Sequence, residues 1–348
     1  MDRNFIIKAH LLYEGIKISK EAKEVLDKKS KVWLMNDYIT CSGVTLVYND
    51  EYVTAGAVDN SKFSLIYEND SFYIIDDQGK KIKADVITPP EYMKDEVVIR
   101  GKPITYYVNT YTDRVRIQLL GGCANTCKFC NAKEFKYEFN DVEGLDQALQ
   151  IALSQSEIRH ALLSSGNVKC GEDMRRLTET YKYFCQKYKD MEIDLMTPPR
   201  GFESYTATEE YEDYLKYLRD EVGIYGLSIN IELNDSKELA FYCPEKAAIG
   251  QERYLKFIEY AVKILGKNKV RSLIIVGLEP LEETLKGVEK LAKLGANPVL
   301  SPLFPYGEAQ GNLSAELFIE SRRASEEICK KYDIFLGPLC KPCSHNTL

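Results

Sequence analysis

The sequence predicts an α/β fold, a partial (β/α)6 barrel preceded by a small, mostly β amino-terminal domain. Three observations carry this expectation. From about residue 112 onward, six buried β-type runs alternate with six amphipathic stretches; ahead of them lie short β-type runs broken by turn residues; and 348 residues exceed what one small core accommodates. The expected divisions are 1–110 for an accessory or substrate-docking domain, 111–335 for the barrel and 336–348 for a cysteine-containing tail.

Taking the elements in order, residues 17–29 (KISKEAKEVLDKK) are dense in charge and predict a helix. Short β-type runs follow at 44–48, 52–57, 63–67 and 72–76, rich in branched and aromatic residues. Asn49-Asp50, Glu68-Asn69-Asp70 and Asp77-Gln78-Gly79 separate them as turns, and strands at this spacing predict an antiparallel sheet. Tyr48, Tyr52, Phe63, Tyr67, Phe72 and Tyr73 read as packing residues, which leaves covering the open barrel side or docking a macromolecular substrate as the expected role. Pro89-Pro90 and Pro103 mark the connection to the barrel.

Strand 114–120 (RVRIQLL) opens the barrel, followed by helix 142–155 with Asn140 or Asp141 as its cap. Strand 160–164 then precedes helix 171–187, and strand 192–196 precedes helix 208–219. Strand 224–233 leads to helix 250–265, whose Leu255, Ile258, Val262 and Leu265 form an apolar stripe. Strand 272–277 precedes helix 281–294, and strand 298–304 precedes helix 314–331. Repeated βα units with right-handed crossovers give a parallel sheet, with ligand chemistry at the carboxyl ends of its strands.

Composition narrows the function classes. Lys and Arg number 46 against 53 Asp and Glu, a net charge of −7, which argues against a general nucleic-acid or polyanion surface. No apolar run approaches the roughly 18 residues needed to span a bilayer, and Met1-Asp2-Arg3-Asn4 does not open like a signal peptide, so a cytoplasmic protein with no membrane partner is expected. Ten cysteines are more than packing requires, and in a reducing compartment clustered thiols read as metal ligands or catalytic groups. With only three histidines, a histidine-rich metal site is not expected.

Residues 121–130 read GGCANTCKFC, placing Cys123, Cys127 and Cys130 in a C-x3-C-x2-C spacing on the loop after the first strand. Three thiolates can hold three corners of a four-iron cubane, which normally takes four cysteines, so one iron is left open to an exogenous ligand. A zinc knuckle, and with it a zinc-stabilised binding protein, needs a fourth ligand that no nearby residue offers. Accidental clustering is the remaining reading.

This loop, C-x3-C-x-aromatic-C after the first strand of a six-unit βα pattern, resembles that of the radical S-adenosylmethionine superfamily, over roughly residues 112–335. The resemblance implies that Cys123, Cys127 and Cys130 ligate a [4Fe–4S] cluster whose open iron binds the amino and carboxylate groups of S-adenosylmethionine. One electron then yields methionine and a 5′-deoxyadenosyl radical that abstracts hydrogen from an unactivated C–H bond. It further implies a small-molecule or carrier-protein-bound substrate and a reducing partner such as ferredoxin or flavodoxin.

Individual positions follow from the same resemblance. Phe129 fills the aromatic slot, near the adenine. Ser165, Gly166 and Asn167 stand where the family has a Gly-Gly-Glu segment for the methionine amino group, although the glutamate is missing. Asn230 and Glu232 alternate on one face of SINIEL and look like ribose and methionine contacts, the alternative being an exposed polar face. Gly277 in LIIVGLE resembles the fifth-strand segment that packs on adenine, or an ordinary strand-to-helix turn with Glu279 near the helix start. Ser301-Pro302-Leu303-Phe304-Pro305 is similar in placement to the segment that completes the adenine pocket. Arg200, after Thr197-Pro198-Pro199, is a candidate for a carboxylate of methionine or substrate, or a surface arginine. Cys170 is a candidate catalytic ligand or hydrogen relay, or an inert thiol, and Tyr306 a candidate substrate contact.

CANTCKFCNA and the SINIEL strand followed by Cys243-Pro244 look closest to the lipoyl and biotin synthase branch. The amino-terminal three-cysteine motif of lipoyl synthases is absent, since only Cys41 precedes the loop. The chain ends GPLCKPCSHNTL, in which Cys340 and Cys343 form a C-x-x-C pair with no evident packing role. A metal or auxiliary iron–sulfur site completed by Cys41, Cys170, Cys243 or His345, a redox dithiol, and a pair without function are the open readings. An auxiliary cluster would keep sulfur insertion in play; a rearrangement, lyase or methyl-transfer reaction is the alternative.

Overall fold

The structure, a computed structural model, describes residues 2–34, 43–94 and 97–348; Cys41 lies outside them. The barrel half is a seven-stranded sheet whose order places Asn297–Pro302, Val270–Val276, Gly226–Ser228, Glu192–Met196, His160–Ser164 and Arg114–Gln118 side by side, ending on Val108–Tyr111. The six strands from Arg114 to Pro302 are parallel and follow one another in sequence order, the arrangement expected of a partial barrel. The seventh pairs antiparallel with the first through a tight turn at Thr112, whose φ is +55°. Sequence periodicity places Val108–Tyr111 in the connecting segment because a run of four residues carries too little pattern.

Helices occupy the expected places where caps and apolar stripes coincide. Asp141 caps Val142–Gln155 by accepting the Gly144 N–H, and Ser314 caps Ala315–Lys331 by accepting from Leu317. Two expectations are corrected. The long fourth strand contracts to Gly226–Ser228, because Glu232 takes a left-handed backbone (φ +64°) that an extended strand cannot carry; only one bridge, Glu232 to Ile274, continues the pairing. The helix expected at 208–219 is a 3-10 turn, an α-helix over Tyr211–Tyr217 and a π turn over Leu218–Val222, stopped by Gly223 in the left-handed region.

The amino-terminal sheet has six strands, with Lys17–Ile18, Ser64–Glu68, Ser71–Ile75, Lys81–Ile87, Gly43–Tyr48 and Glu51–Gly56 in spatial order. All its pairings are antiparallel except that of Lys17–Ile18 with Ser64–Glu68. Helix Arg3–Glu14, which sequence reading did not foresee, joins the two halves. Its Phe5 and Ala9 bury in the barrel core, while Ile7 and Leu11 bury against the amino-terminal sheet. A helix apolar on two sides is a buried connector rather than a surface element.

The tail is also a packing element, contrary to the sequence reading. Cys343, His345, Thr347 and Leu348 are buried. The Leu348 N–H donates to the Leu300 carbonyl on the sixth parallel strand, and the Thr54 N–H in the amino-terminal sheet donates to the His345 carbonyl. Lys8 donates to the Ser344 carbonyl at 2.8 Å. Among the described residues no helix is long and apolar enough to cross a membrane.

Candidate functional site

The cysteine loop leaves the carboxyl end of the first parallel strand and is pinned from the second. The Asn167 N–H donates to Cys123 Sγ at 3.1 Å, the Asn125 N–H donates to the same sulfur at 3.3 Å, and the Ala132 N–H donates to Cys130 Sγ at 3.4 Å. The Ala124 N–H returns a bond to the Asn167 carbonyl. Gly166 makes this docking feasible, since a Cβ there would lie 2.1 Å from the Gly122 carbonyl oxygen and 2.6 Å from Cys123 Cα. Ser165, Gly166 and Asn167 are therefore brought to the cysteine loop, with the backbone and not a glutamate supplying the contacts.

Cys127 is buried beside fully buried Cys243, whose thiol donates to it and holds Cys127 below the ordinary thiol range, while Cys243 is pushed up. Burial pushes the Cys123 and Cys130 thiols up, against the backbone N–H groups aimed at them. Phe129 packs with Cys127, Leu233, Leu239, Ile275, Leu278 and Leu303, an apolar wall drawn from the segment after the fourth strand and from the ends of the fifth and sixth. Gly277 sits at φ +110° at this end of the fifth strand, its carbonyl accepting from Asn312 and its Cα against Leu313.

Below the loop, the buried Lys246 ammonium donates to Glu232 Oε1 at 2.6 Å and to the Asn230 carbonyl at 3.0 Å. Burial alone would lower the Lys246 pKa, but Glu232 and the nearby thiols outweigh it and hold the ammonium above its ordinary value. The Asn230 side chain accepts from Ser228 at 2.9 Å. Asn230 and Glu232 thus converge, but through the bend at Glu232 and a shared lysine rather than through strand periodicity. Lys246 was missed, and Cys243 was assigned to the tail pair instead, because their partners lie far off in sequence or around a turn.

The donor set fits a cluster. Three soft thiolates on one loop, with backbone N–H groups directed at two of the sulfurs, match a ligand set for iron and sulfur. Three loop thiols are the number a four-iron cubane takes when one of its irons is left open. A cubane places each ligand on a different iron and so spreads them.

Arg200 is corrected. It is 1% exposed, its guanidinium donates to the carbonyls of Gly201, Met174 and Phe202 and to Thr178 Oγ1, and it lies over the Tyr214 ring. With Nε and Nη2 engaged by protein acceptors it ties helix Gly171–Lys187 to the third βα loop, rather than presenting a bidentate fork to a carboxylate. Cys170 stands exposed as the cap residue of that helix. Tyr306 is hydrogen-bonded to Glu134, just beyond the cysteine loop.

Cys340 and Cys343 lie elsewhere. Cys343 Sγ is 3.1 Å from His160 Nε2, and Cys340 Sγ is 3.5 Å from Asp113 Oδ1. Asp113 precedes the first parallel strand and His160 begins the second, so the pair sits at the amino ends of the strands, whereas the cysteine loop leaves the carboxyl end. Five residues of strand, roughly 13 Å, intervene. Three expected co-ligands do not join the pair. Cys243 is beside Cys127, Cys170 is in the second βα loop at the carboxyl end, and His345 turns Nδ1 to Thr54 Oγ1 at 2.8 Å, where burial lowers its pKa to about 3.

No family model and no curated protein matches the sequence. Among solved structures, SuiB of Streptococcus suis bound to S-adenosylmethionine is similar over 68% of this chain and 53% of its own, with 12% identity and a TM-score of 0.50. A radical SAM methyltransferase from Sphaerobacter thermophilus is similar over 82% and 80%, with 13% identity and a TM-score of 0.48. The FeFe-hydrogenase maturase HydG from Carboxydothermus hydrogenoformans is similar over 63% and 52%, with 17% identity and a TM-score of 0.47. The chain spans about half the length of SuiB and HydG. The likeness to SuiB is one of fold, and the partial barrel that it shares is the scaffold on which the three-cysteine loop stands.

Proposed function

We propose that this chain is a radical S-adenosylmethionine enzyme, with a [4Fe–4S] cluster held by Cys123, Cys127 and Cys130. The observation that carries the reading is the three-thiol loop at the carboxyl end of the first barrel strand, held to the second strand by the Asn167–Cys123 bond. Bound there, the cluster supplies one electron to S-adenosylmethionine, whose cleavage gives methionine and a 5′-deoxyadenosyl radical competent to take hydrogen from an unactivated C–H bond.

The chain's own groups divide the remaining tasks. Backbone N–H groups of Asn125, Asn167 and Ala132 stabilise the thiolate form of Cys123 and Cys130. The apolar wall of Phe129, Leu233, Ile275, Leu278 and Leu303 excludes water and offers a face to the adenine, with Gly277 at its edge. Asn230, Glu232 and Lys246 supply the buried polar groups that orient ribose and methionine. Cys170, exposed in the second βα loop, is our candidate for a catalytic thiol or hydrogen relay. The substrate is a small molecule or is carried on a protein; SuiB, bound to its precursor peptide in another solved structure, makes a peptide a candidate carrier. A ferredoxin- or flavodoxin-type reductant is the expected electron source.

The transformation we favour is a rearrangement, lyase or methyl-transfer reaction without sulfur insertion. The second thiol pair sits at the opposite end of the strands, out of reach of a radical formed at the cysteine loop. Mass analysis of the product separates the two: no sulfur gained supports this reading, and sulfur traced to the protein overturns it.

A further inference from the structure

The four groups around the tail carry an inference of their own. Asp113, His160, Cys340 and Cys343 each offer one ligand atom, and these four atoms all lie within 4.8 Å of one another. Cys343 Sγ to His160 Nε2 is 3.1 Å, Cys340 Sγ to Asp113 Oδ1 is 3.5 Å, and His160 Nε2 to Asp113 Oδ1 is 3.5 Å. Sulfur at about 2.3 Å and nitrogen or oxygen at about 2.0–2.2 Å around a tetrahedral ion give ligand separations of roughly 3.3–3.8 Å. We propose that these four residues bind one zinc ion, which fastens the C-terminal tail to the amino ends of the first two barrel strands.

Convergence on one point decides between a single ion and a cluster. A multi-iron cluster spreads its ligands over separate metals, whereas here a thiol and an imidazole nearly touch. Two thiolates, an imidazole and a carboxylate form a mixed soft and borderline set suited to zinc. The charges also balance: two thiolates and a carboxylate against Zn²⁺ leave one negative charge. Arg159, which donates from Nε to Asp113 Oδ2 at 3.2 Å, offsets it. That bond fixes the carboxylate so that Oδ1 faces the other three ligands, and Arg159 is itself anchored on Glu192 at 2.8 Å.

The ligands come from three separate segments: the turn before the first parallel strand, the start of the second, and the tail. The two cysteines flank a short turn, with the Cys343 N–H donating to the Cys340 carbonyl at 3.1 Å. Four protein ligands close the coordination shell, so the ion is structural rather than catalytic. Because His345 and Ser344 of the same tail bond to Thr54 and Lys8, the ion also holds the amino-terminal sheet and its connecting helix against the barrel. This inference stands independently of the radical chemistry at the other end of the strands.

The test is metal analysis of the full chain purified anaerobically. One zinc per chain is expected in addition to iron. Cys343→Ala and His160→Ala should each lose the zinc and keep the iron, and Cys123→Ala should do the reverse. Should those variants fail to fold, cobalt titration of the unmodified zinc-free chain decides, because tetrahedral thiolate coordination gives an intense visible band and a sulfur-to-cobalt charge-transfer band. Zinc that survives His160→Ala, a Cys340–Cys343 disulfide in the purified chain, iron lost with Cys343→Ala, or absent cobalt bands would each overturn the proposal.

Discussion

The Asn167 backbone N–H donates to Cys123 Sγ at 3.1 Å, so the loop that follows the second barrel strand holds the first cysteine of the loop that follows the first. The contact depends on Gly166, whose Cα lies against Gly122 and Cys123. Gly166→Ala must push backbone against backbone, which costs about 1–3 kcal/mol when a packed site is overfilled. We expect reconstituted iron per chain to fall sharply while the far-ultraviolet circular dichroism stays that of the parent. Unchanged iron would mean that the two loops are not coupled.

The bond from Cys243 to Cys127 predicts an electrochemical effect. A hydrogen bond to a ligand sulfur raises a cluster's potential. A net bond of about 0.5–1.5 kcal/mol corresponds to roughly 20–60 mV for one electron. Cys243→Ala should retain cluster iron and shift the midpoint potential negative by that order, read by a reductive titration. Loss of iron instead would make Cys243 a ligand.

Glu232 and Lys246 form a buried pair at 2.6 Å. Leaving one buried charge unpaired costs about 3–5 kcal/mol, while replacing both partners costs much less. Glu232→Gln or Lys246→Met should therefore lower the denaturant midpoint more than the double variant Glu232→Gln/Lys246→Met does. Additive effects would contradict the pairing.

Arg200 shows what the sequence could and could not convey. Its place after Thr197-Pro198-Pro199, in a βα loop, suggested an anion contact, but the local sequence did not encode the carbonyls of Met174 and Phe202 that take its donors. Arg200→Met should destabilise by several kcal/mol, since bonds to a charged group are worth about 1.5–3 kcal/mol each. Corrected for the folded fraction, KM for S-adenosylmethionine should not move; a rise of tenfold would restore a binding role.

The same contrast runs through the molecule. Helices 142–155 and 171–187 and the strands 160–164 and 192–196 were legible to the residue, because caps, apolar stripes and short buried runs are local signals. The three-cysteine loop was legible because its thiols fall within ten residues of chain. Helix Arg3–Glu14 was not, since its apolar residues face two cores and its periodicity blurs. Asp113 and His160 were invisible as partners of the tail because chain topology alone brings positions 113, 160 and 343 together.

Lys8 gives a pH dependence. It is fully buried on the connecting helix, and burial lowers its pKa to about 8, partly offset by Glu51. Between about pH 8 and the unfolded value near 10.4 the unfolded chain binds the proton and the folded chain does not. Stability from this group is thus present above the unfolded value and lost as pH falls toward 8, by about 1.4 kcal/mol per pH unit. Denaturant melts from pH 7.5 to 10.5 should show that slope in the parent relative to Lys8→Met; identical slopes would place the lysine in solvent.

The most direct measurement concerns the thiols at 123, 127 and 130. Anaerobically reconstituted full-length protein, reduced and given S-adenosylmethionine, should be brown and release 5′-deoxyadenosine, and Cys123→Ala, Cys127→Ala and Cys130→Ala should each abolish that release. A colourless protein holding zinc at the loop and releasing no 5′-deoxyadenosine would contradict the account.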